Sequence, residues 1–219
     1  MENRTNHMKD KQYPLLATKL YVPQPRPKLV QRAQLINRLN EGLNHKLVLI
    51  SAPAGFGKTS LLSEWISQSE KPVAWVSLDK SDSDPAHFIH YLVAALKGIA
   101  VNIDKTVLSL LQSPQRPLIE SNIINLIKEI SVIPNDITIV LDDYHAIDTE
   151  EIHKIIALML DYLPAHIHLV ISSRVDPPLP LSRLRVSHQL TEVRTTDLCF
   201  TPEETTVFFN QMMDLDLSN

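Results

Sequence analysis

The sequence predicts an α/β domain in which a parallel sheet of about five strands carries helices on both faces. Three observations lead there. Runs of strand length are apolar almost throughout, as in residues 137–141 (ITIVL) and 167–171 (IHLVI), and such strands need cover on both faces. These runs alternate with segments of helical spacing, giving the order βαβαβαβαβ. The chain has only four glycines against fifteen prolines in 219 residues, and Gly55 and Gly57 fall together between the first strand run and the next helical segment. A chain of this size and average composition would hold about fifteen glycines, so the pair marks a turn with special backbone needs.

Taken in order, residues 1–14 are polar and read as a flexible N-terminal segment. Residues 15–28, LLATKLYVPQPRPK, are expected to be extended, because each proline biases its predecessor away from helix. Residues 29–43 place apolar side chains at 29, 30, 35, 36, 39 and 43, a spacing that predicts one short helix. The first strand is expected over 46–51, and the others over 73–78, 137–141, 167–171 and, more weakly, 190–193. Helices are expected over 59–69, 86–99, 119–133 and 150–163. Asp84 before Pro85 sets a capping side chain ahead of a proline at the first helical position, and Thr201-Pro202-Glu203-Glu204 adds a capping-box glutamate. The last helix runs from Pro202 to about Met213, so the domain is read as residues 15–213, with 214–219 as a C-terminal tail.

Composition removes several classes. At 44% hydrophobic and 21% charged residues, the chain can bury a core and is no disordered polymer. A single cysteine, Cys199, forms no internal disulfide, and the first residues lack the apolar run of a secretory signal, so a cytoplasmic location is expected. No apolar run approaches the roughly 20 residues needed to cross a bilayer. With 21 basic and 25 acidic residues, net charge −4, no field holds this chain on DNA by phosphate neutralisation.

Between the first strand and the next helix stands Ala52-Pro53-Ala54-Gly55-Phe56-Gly57-Lys58-Thr59, followed by Ser60. This is the phosphate-loop pattern G-x-x-x-x-G-K-[ST] with alanine in its first place. Backbone N–H groups must point inward around an anion at a helix N-terminus, and Gly55 and Gly57 allow that approach. Lys58 then reaches the β- and γ-phosphates, and the Thr59 hydroxyl becomes a Mg²⁺ ligand. A relaxed match of this kind arises by chance in roughly 2% of chains this long, before a strand ahead and a helix behind are required. The fold class is therefore a P-loop NTPase, with a nucleoside triphosphate and Mg²⁺ as the ligands this loop is built for.

The strand 137–141 runs into Asp142-Asp143, the Walker B form. Asp142 is placed to bind Mg²⁺ and Asp143 to accept the proton of an attacking water, although aspartates also open turns. Asp79, after strand 73–78, competes for the metal role and loses it, because one carboxylate closes that strand and a polar loop follows. The strand 167–171 ends in Ser172-Ser173-Arg174. If it inserts between the phosphate-loop strand and the Walker B strand, Arg174 lies beside the γ-phosphate as a sensor; otherwise it is a solvated loop arginine.

At this point the residues carry a family resemblance. The segments LLATKLYVPQPRPKLVQRAQLINRL, ISAPAGFGKTSLLSEW, VAWVSLD with DSDPAHFIHYL, IVLDDYHAI and ISSRVDPPLPLSRLRVSHQLTEVRTTDLCFTPEE resemble the nucleotide-binding domain of MalT-like, large ATP-binding LuxR-type transcriptional regulators, of the STAND class of signal-transduction ATPases. The resemblance spans residues 15–213. It implies an ATP-held switch that responds to an inducer, self-association or protein partners on activation, and hydrolysis that resets it. It implies that Asp142 is the Walker B aspartate, Asp143 the second acidic residue and Arg174 the sensor arginine. It also implies that Arg32 is the arginine of the pre-P-loop motif and that Val30 and its neighbours line an adenine pocket. Winged-helix, helical-repeat and helix-turn-helix parts have no counterpart in these 219 residues, so DNA contact is not expected from this chain itself.

Other residues read more plainly. The pairs His87 with His90 and His166 with His168 lack an evident third ligand for a metal. Cys199, in the apolar run LCF, is expected in the core, and Trp65 and Trp75 read as packing. Arg183, Arg185 and Arg194 lie in a run that reads as a solvated loop or a partner surface. The leading function is an ATP-Mg²⁺ switch module with slow or negligible hydrolysis alone. A small-molecule P-loop kinase or metabolic ATPase would need acceptor-site arginines, for which Arg183 and Arg185 are the candidates. An inactive nucleotide-binding scaffold is the third class.

Overall fold

A computed structural model of the chain describes residues 15–25, 30–99 and 119–213. The segments 1–14 and 214–219, expected as a flexible terminus and a tail, lie outside the described residues. Five strands form one parallel sheet: β1 Leu47–Ser51, β2 Val73–Ser77, β3 Ile137–Asp142, β4 Ile167–Ser173 and β5 Leu190–Arg194. Their order is β2-β3-β4-β1-β5. The three central strands are buried along their whole length, as their unbroken apolar runs require, while β2 and β5 at the edges are partly exposed.

The helices are α1 Ala33–Gly42, α2 Lys58–Ser67, α3 Pro85–Lys97, α4 Ile119–Ser131, α5 Glu150–Tyr162, α6 Leu181–Val186, α7 Thr195–Leu198 and α8 Pro202–Met213. Successive strand residues point to opposite faces, and two cores follow from that alternation. Leu47, Leu49, Ile139, Leu141, Leu169 and Ile171 pack against α3, α4 and α5. Val48, Ile50, Trp75, Val140, Val170 and Val193 pack against α1 and α2, with Trp65 among them. Both tryptophans are buried, as read from sequence.

The caps form as expected. Asp84 accepts from the His87 N–H at 2.9 Å ahead of Pro85. Thr201 and Glu204 exchange side-chain-to-backbone bonds at 3.2 and 3.0 Å. Three expectations change. The first helix begins at Ala33, because Arg32 at φ −111°, ψ 58° is outside the helical region. The N-terminal segment is not purely extended: Ala17–Leu20 makes one 3₁₀ turn. Cys199 is exposed, because the one-turn helix α7 gives the buried position to Leu198 and the chain leaves it extended at Cys199.

That 3₁₀ turn is fastened beside the end of β2. Lys19 Nζ pairs with Asp79 at 2.8 Å and with the fully buried Asp82 at 2.7 Å, and lies 4.9 Å from the centre of the Tyr91 ring. Asp79 in turn accepts from the Ser81 N–H and caps the 3₁₀ helix Lys80–Ser83. These contacts hold its carboxyl at about 2, hydrogen bonds from Lys19 and Ser81 outweighing partial burial.

Candidate functional site

The carboxyl ends of β1, β3 and β4 lie side by side, with β4 inserted between the other two. Ala52 N–H donates to the Ser173 carbonyl at 3.2 Å, joining the loop after β1 to the last residue of β4. Ala54, Gly55, Gly57, Lys58, Thr59 and Ser60 line a cavity here together with Asp143 and Arg174. Eight residues singled out from the sequence are thus brought to one place.

The loop geometry explains its composition. Gly55 has φ 88° and Gly57, which precedes α2, has φ 73°. A Cβ at either would meet nothing within 4 Å, so the need for glycine is torsional rather than steric. The only other positive-φ residues described are Asp143 and His188, so alanine at position 52 carries no such cost. The first turn of α2 leaves its N–H groups without helical partners, which with the helix dipole favours an anion.

Lys58 is 6% exposed and its ammonium donates to the carbonyls of Ala52 at 2.7 Å and Pro53 at 2.9 Å. Burial lowers its pKa; Arg174 lowers it further, while Asp143 and Asp142 oppose the shift. Ala52 and Pro53 therefore serve through their carbonyls. Phe56 packs against the core on the α1 and α2 side of the sheet, beneath the loop.

Asp142 is 3% exposed and is not among the residues that line the cavity. Thr59 Oγ1 donates to its Oδ2 at 2.9 Å, and the Ser172 hydroxyl donates to its other oxygen. Burial pushes the Asp142 carboxyl up, the hydrogen bonds from Ser172 and Thr59 hold it down, and the charge of Asp143 adds to the rise. The backbone turns sharply next, Asp143 standing at φ 58°, ψ 38°. The Asp143 N–H donates to Ser172 Oγ at 3.0 Å, and its carboxylate lies 3.7 Å from His145 Nδ1. Burial lowers the His145 pKa, the charge of Asp143 opposing it.

Ser172 and His145 were not singled out by sequence reading. Ser172 stands fully buried at the end of an apolar strand and links both aspartates; a polar residue closing such a run was the available signal. Arg174 is exposed at the cavity. Its strand occupies the place on which the sensor reading depended.

Arg32 and Val30 are not among the residues lining this cavity. The Arg32 guanidinium donates to the carbonyls of Asp197, Leu198 and Cys199 at 2.7 to 3.0 Å and to Glu204 at 3.1 Å, and lies over the Phe200 ring. It thus ties the segment before α1 to α7 and α8. Val30 is buried in the core.

Thr59 Oγ1 and Asp142 Oδ2 are a pair of hard oxygen donors of the type that magnesium takes. Among the described residues no group of three or more His, Cys, Asp or Glu could hold a metal by itself. The arginines of the 183–194 run are ion-paired rather than free: Arg183 with Asp161, Arg185 with Glu192, and Arg194 with Asp176 and Glu192. No described helix is long and apolar enough to cross a membrane.

The chain is 34% identical to the HTH-type transcriptional regulator MalT of Vibrio campbellii over 195 residues, 87% of this chain and 21% of that protein. It is 35% identical to MalT of Vibrio cholerae over 183 residues, 83% and 20% respectively. It spans about a fifth of the length of these regulators. Among solved structures, a Walker-type ATPase of Pyrococcus abyssi shares the fold, with TM-score 0.55 and 15% identity over 90% of this chain and 62% of that one. No family model matches the chain. The strand order, the glycine loop and these relatives make the chain a P-loop NTPase domain, similar in sequence to one segment of the MalT-type transcriptional regulators.

Proposed function

We propose that the domain is an ATP-Mg²⁺ binding switch module of a cytoplasmic signal-transduction ATPase in a transcriptional regulator, with slow or negligible hydrolysis alone. The observation that carries this reading is the hydrogen bond from Thr59 to the buried Asp142, set at the start of the helix that follows the glycine loop. Magnesium bound there would neutralise charge on the phosphates. The loop N–H groups and Lys58 would hold the phosphate chain, and Thr59 with Asp142 would hold the cation. Asp143 would take the proton of the attacking water, and Arg174 would contact the γ-phosphate.

Slow turnover fits the base. Among the described residues no side chain donates a hydrogen bond to the Asp143 carboxylate; the nearest partner is His145 at 3.7 Å. An unheld carboxylate is poorly preorganised. The kinase alternative is weakened because Arg183 and Arg185 are engaged by Asp161 and Glu192. ATP or ADP occupancy would be read by protein partners or by further copies of the chain, while the acidic balance offers no DNA-binding field.

The test measures turnover and nucleotide affinity of the wild type beside Lys58→Ala. Turnover far below the roughly 1 to 100 per second of kinases, with ATP binding lost in Lys58→Ala, is expected. Undiminished binding in Lys58→Ala, or rapid phosphorylation of a small metabolite, would contradict the proposal.

A further inference from the structure

The loop that carries Arg174 is pinned on both sides. Before it, Ser173 is fully buried, in register with Ser51 of β1, and accepts from the Ala52 N–H at 3.2 Å. After it, Asp176 receives both terminal nitrogens of Arg194, one of them at 3.1 Å. Arg194 closes β5, in register with that same Ser51. Only Val175, 64% exposed, lies between Arg174 and Asp176.

Arg194 is itself braced. Glu192 accepts from Arg194 and from two nitrogens of Arg185, both at 2.8 Å, so two arginines and two carboxylates form one neutral network. A two-point guanidinium-carboxylate contact fixes direction as well as distance. An exposed arginine spends less entropy on meeting an anion when the backbone on both sides of it is already placed.

We infer that Arg194 is a positioning residue for Arg174, acting through Asp176 to fix the segment from which Arg174 reaches a terminal phosphate. The inference rests on the proposed ATP-binding reading and assigns the arginine run of residues 183–194 a task at that site. ATP carries the phosphate that Arg174 would contact and ADP does not, so the brace affects one nucleotide and spares the other.

The experiment compares dissociation constants for ATP and ADP, both with Mg²⁺, in the wild type, Arg174→Ala, Arg194→Ala, Arg194→Lys and the Arg174→Ala/Arg194→Ala double variant. Arg194→Ala is expected to weaken ATP about 3- to 10-fold, a loss suited to a partly exposed network, and to leave ADP within about twofold. Arg194→Lys, which keeps a charge but not the fork, should fall between. The double variant should match Arg174→Ala, since both changes remove one device. Equal weakening of ATP and ADP, or additive losses in the double variant, would overturn the inference while leaving the ATP-binding reading intact. A wild type that binds neither nucleotide would overturn both. Should Arg194→Ala fail to fold, Asp176→Asn leaves β5 unchanged and is measured the same way.

Discussion

Replacing Asp142 by asparagine should stabilise the free protein while weakening its magnesium-dependent ATP binding. The carboxylate is 3% exposed and has no cation within ion-pair distance among the described residues; the hydroxyls of Thr59 and Ser172 donate to it. Burying a carboxylate costs several kcal/mol even after relaxation. Hydrogen bonds to a charged group return about 1.5 to 3 kcal/mol each. Burial, with the charge of Asp143, outweighs those bonds and raises the carboxyl pKa, so the charged form is held at a net cost in the folded protein. Asparagine is neutral, and both hydroxyls can rotate to suit it.

The sign with pH follows from the raised pKa. Between the ordinary value of 3.8 and the raised folded value, the native state binds more protons than the unfolded one, so wild-type stability falls as pH rises through that window. The asparagine variant has no such loss. Its advantage is therefore absent below the ordinary value, opens above it and is complete once pH exceeds the raised folded value. Urea unfolding at a series of pH values reads this difference directly. An asparagine variant less stable than the wild type at pH 7, or a gap unmoved by pH, would refute the reasoning.

Three further changes test other parts of the molecule. Lys19→Met leaves the buried Asp82 without its ammonium and should cost about 3 to 5 kcal/mol at neutral pH by denaturant unfolding. The depressed Asp79 pKa makes its contribution, about 1 kcal/mol after screening, present above pH 3.8 and lost as pH falls through about 2, so the gap should narrow in acid. Gly57→Ala places a Cβ at φ 73° and should cost about 1 to 2 kcal/mol in thermal or urea unfolding, together with weaker ATP binding; an unchanged midpoint would contradict the torsional account. Arg32→Ala should free α7 and α8, cost about 2 to 4 kcal/mol and hasten proteolysis near residue 200, while ATP affinity stays within about twofold. A large selective loss of ATP affinity in that variant would restore Arg32 as a nucleotide contact.

What could be read from sequence was local or periodic. Gly55, Gly57, Lys58 and Thr59 fall within five consecutive positions, so the glycine loop was legible from residue types alone. The strands were legible because their apolar runs are unbroken, yet the same uniformity hides which strand neighbours which: a strand apolar on both faces fits many partners. The insertion of β4 between β1 and β3, on which Arg174 depends, emerged only from the pairing register. Ser172 was missed because its partner Asp142 lies 30 positions away. The contacts of Arg32 were hidden for the same reason, its partners lying 165 to 172 positions on. Cys199 was read as core from its apolar neighbours, but whether a side chain at a helix end is covered depends on where that helix stops.

Calorimetric titration of ATP into the wild-type protein, with Mg²⁺ and then with a chelator, bears most directly on the whole account. Saturable binding of one ATP per chain, weakened at least tenfold by removing magnesium, is the expected result. Heat that does not saturate, or an affinity indifferent to magnesium, would contradict it.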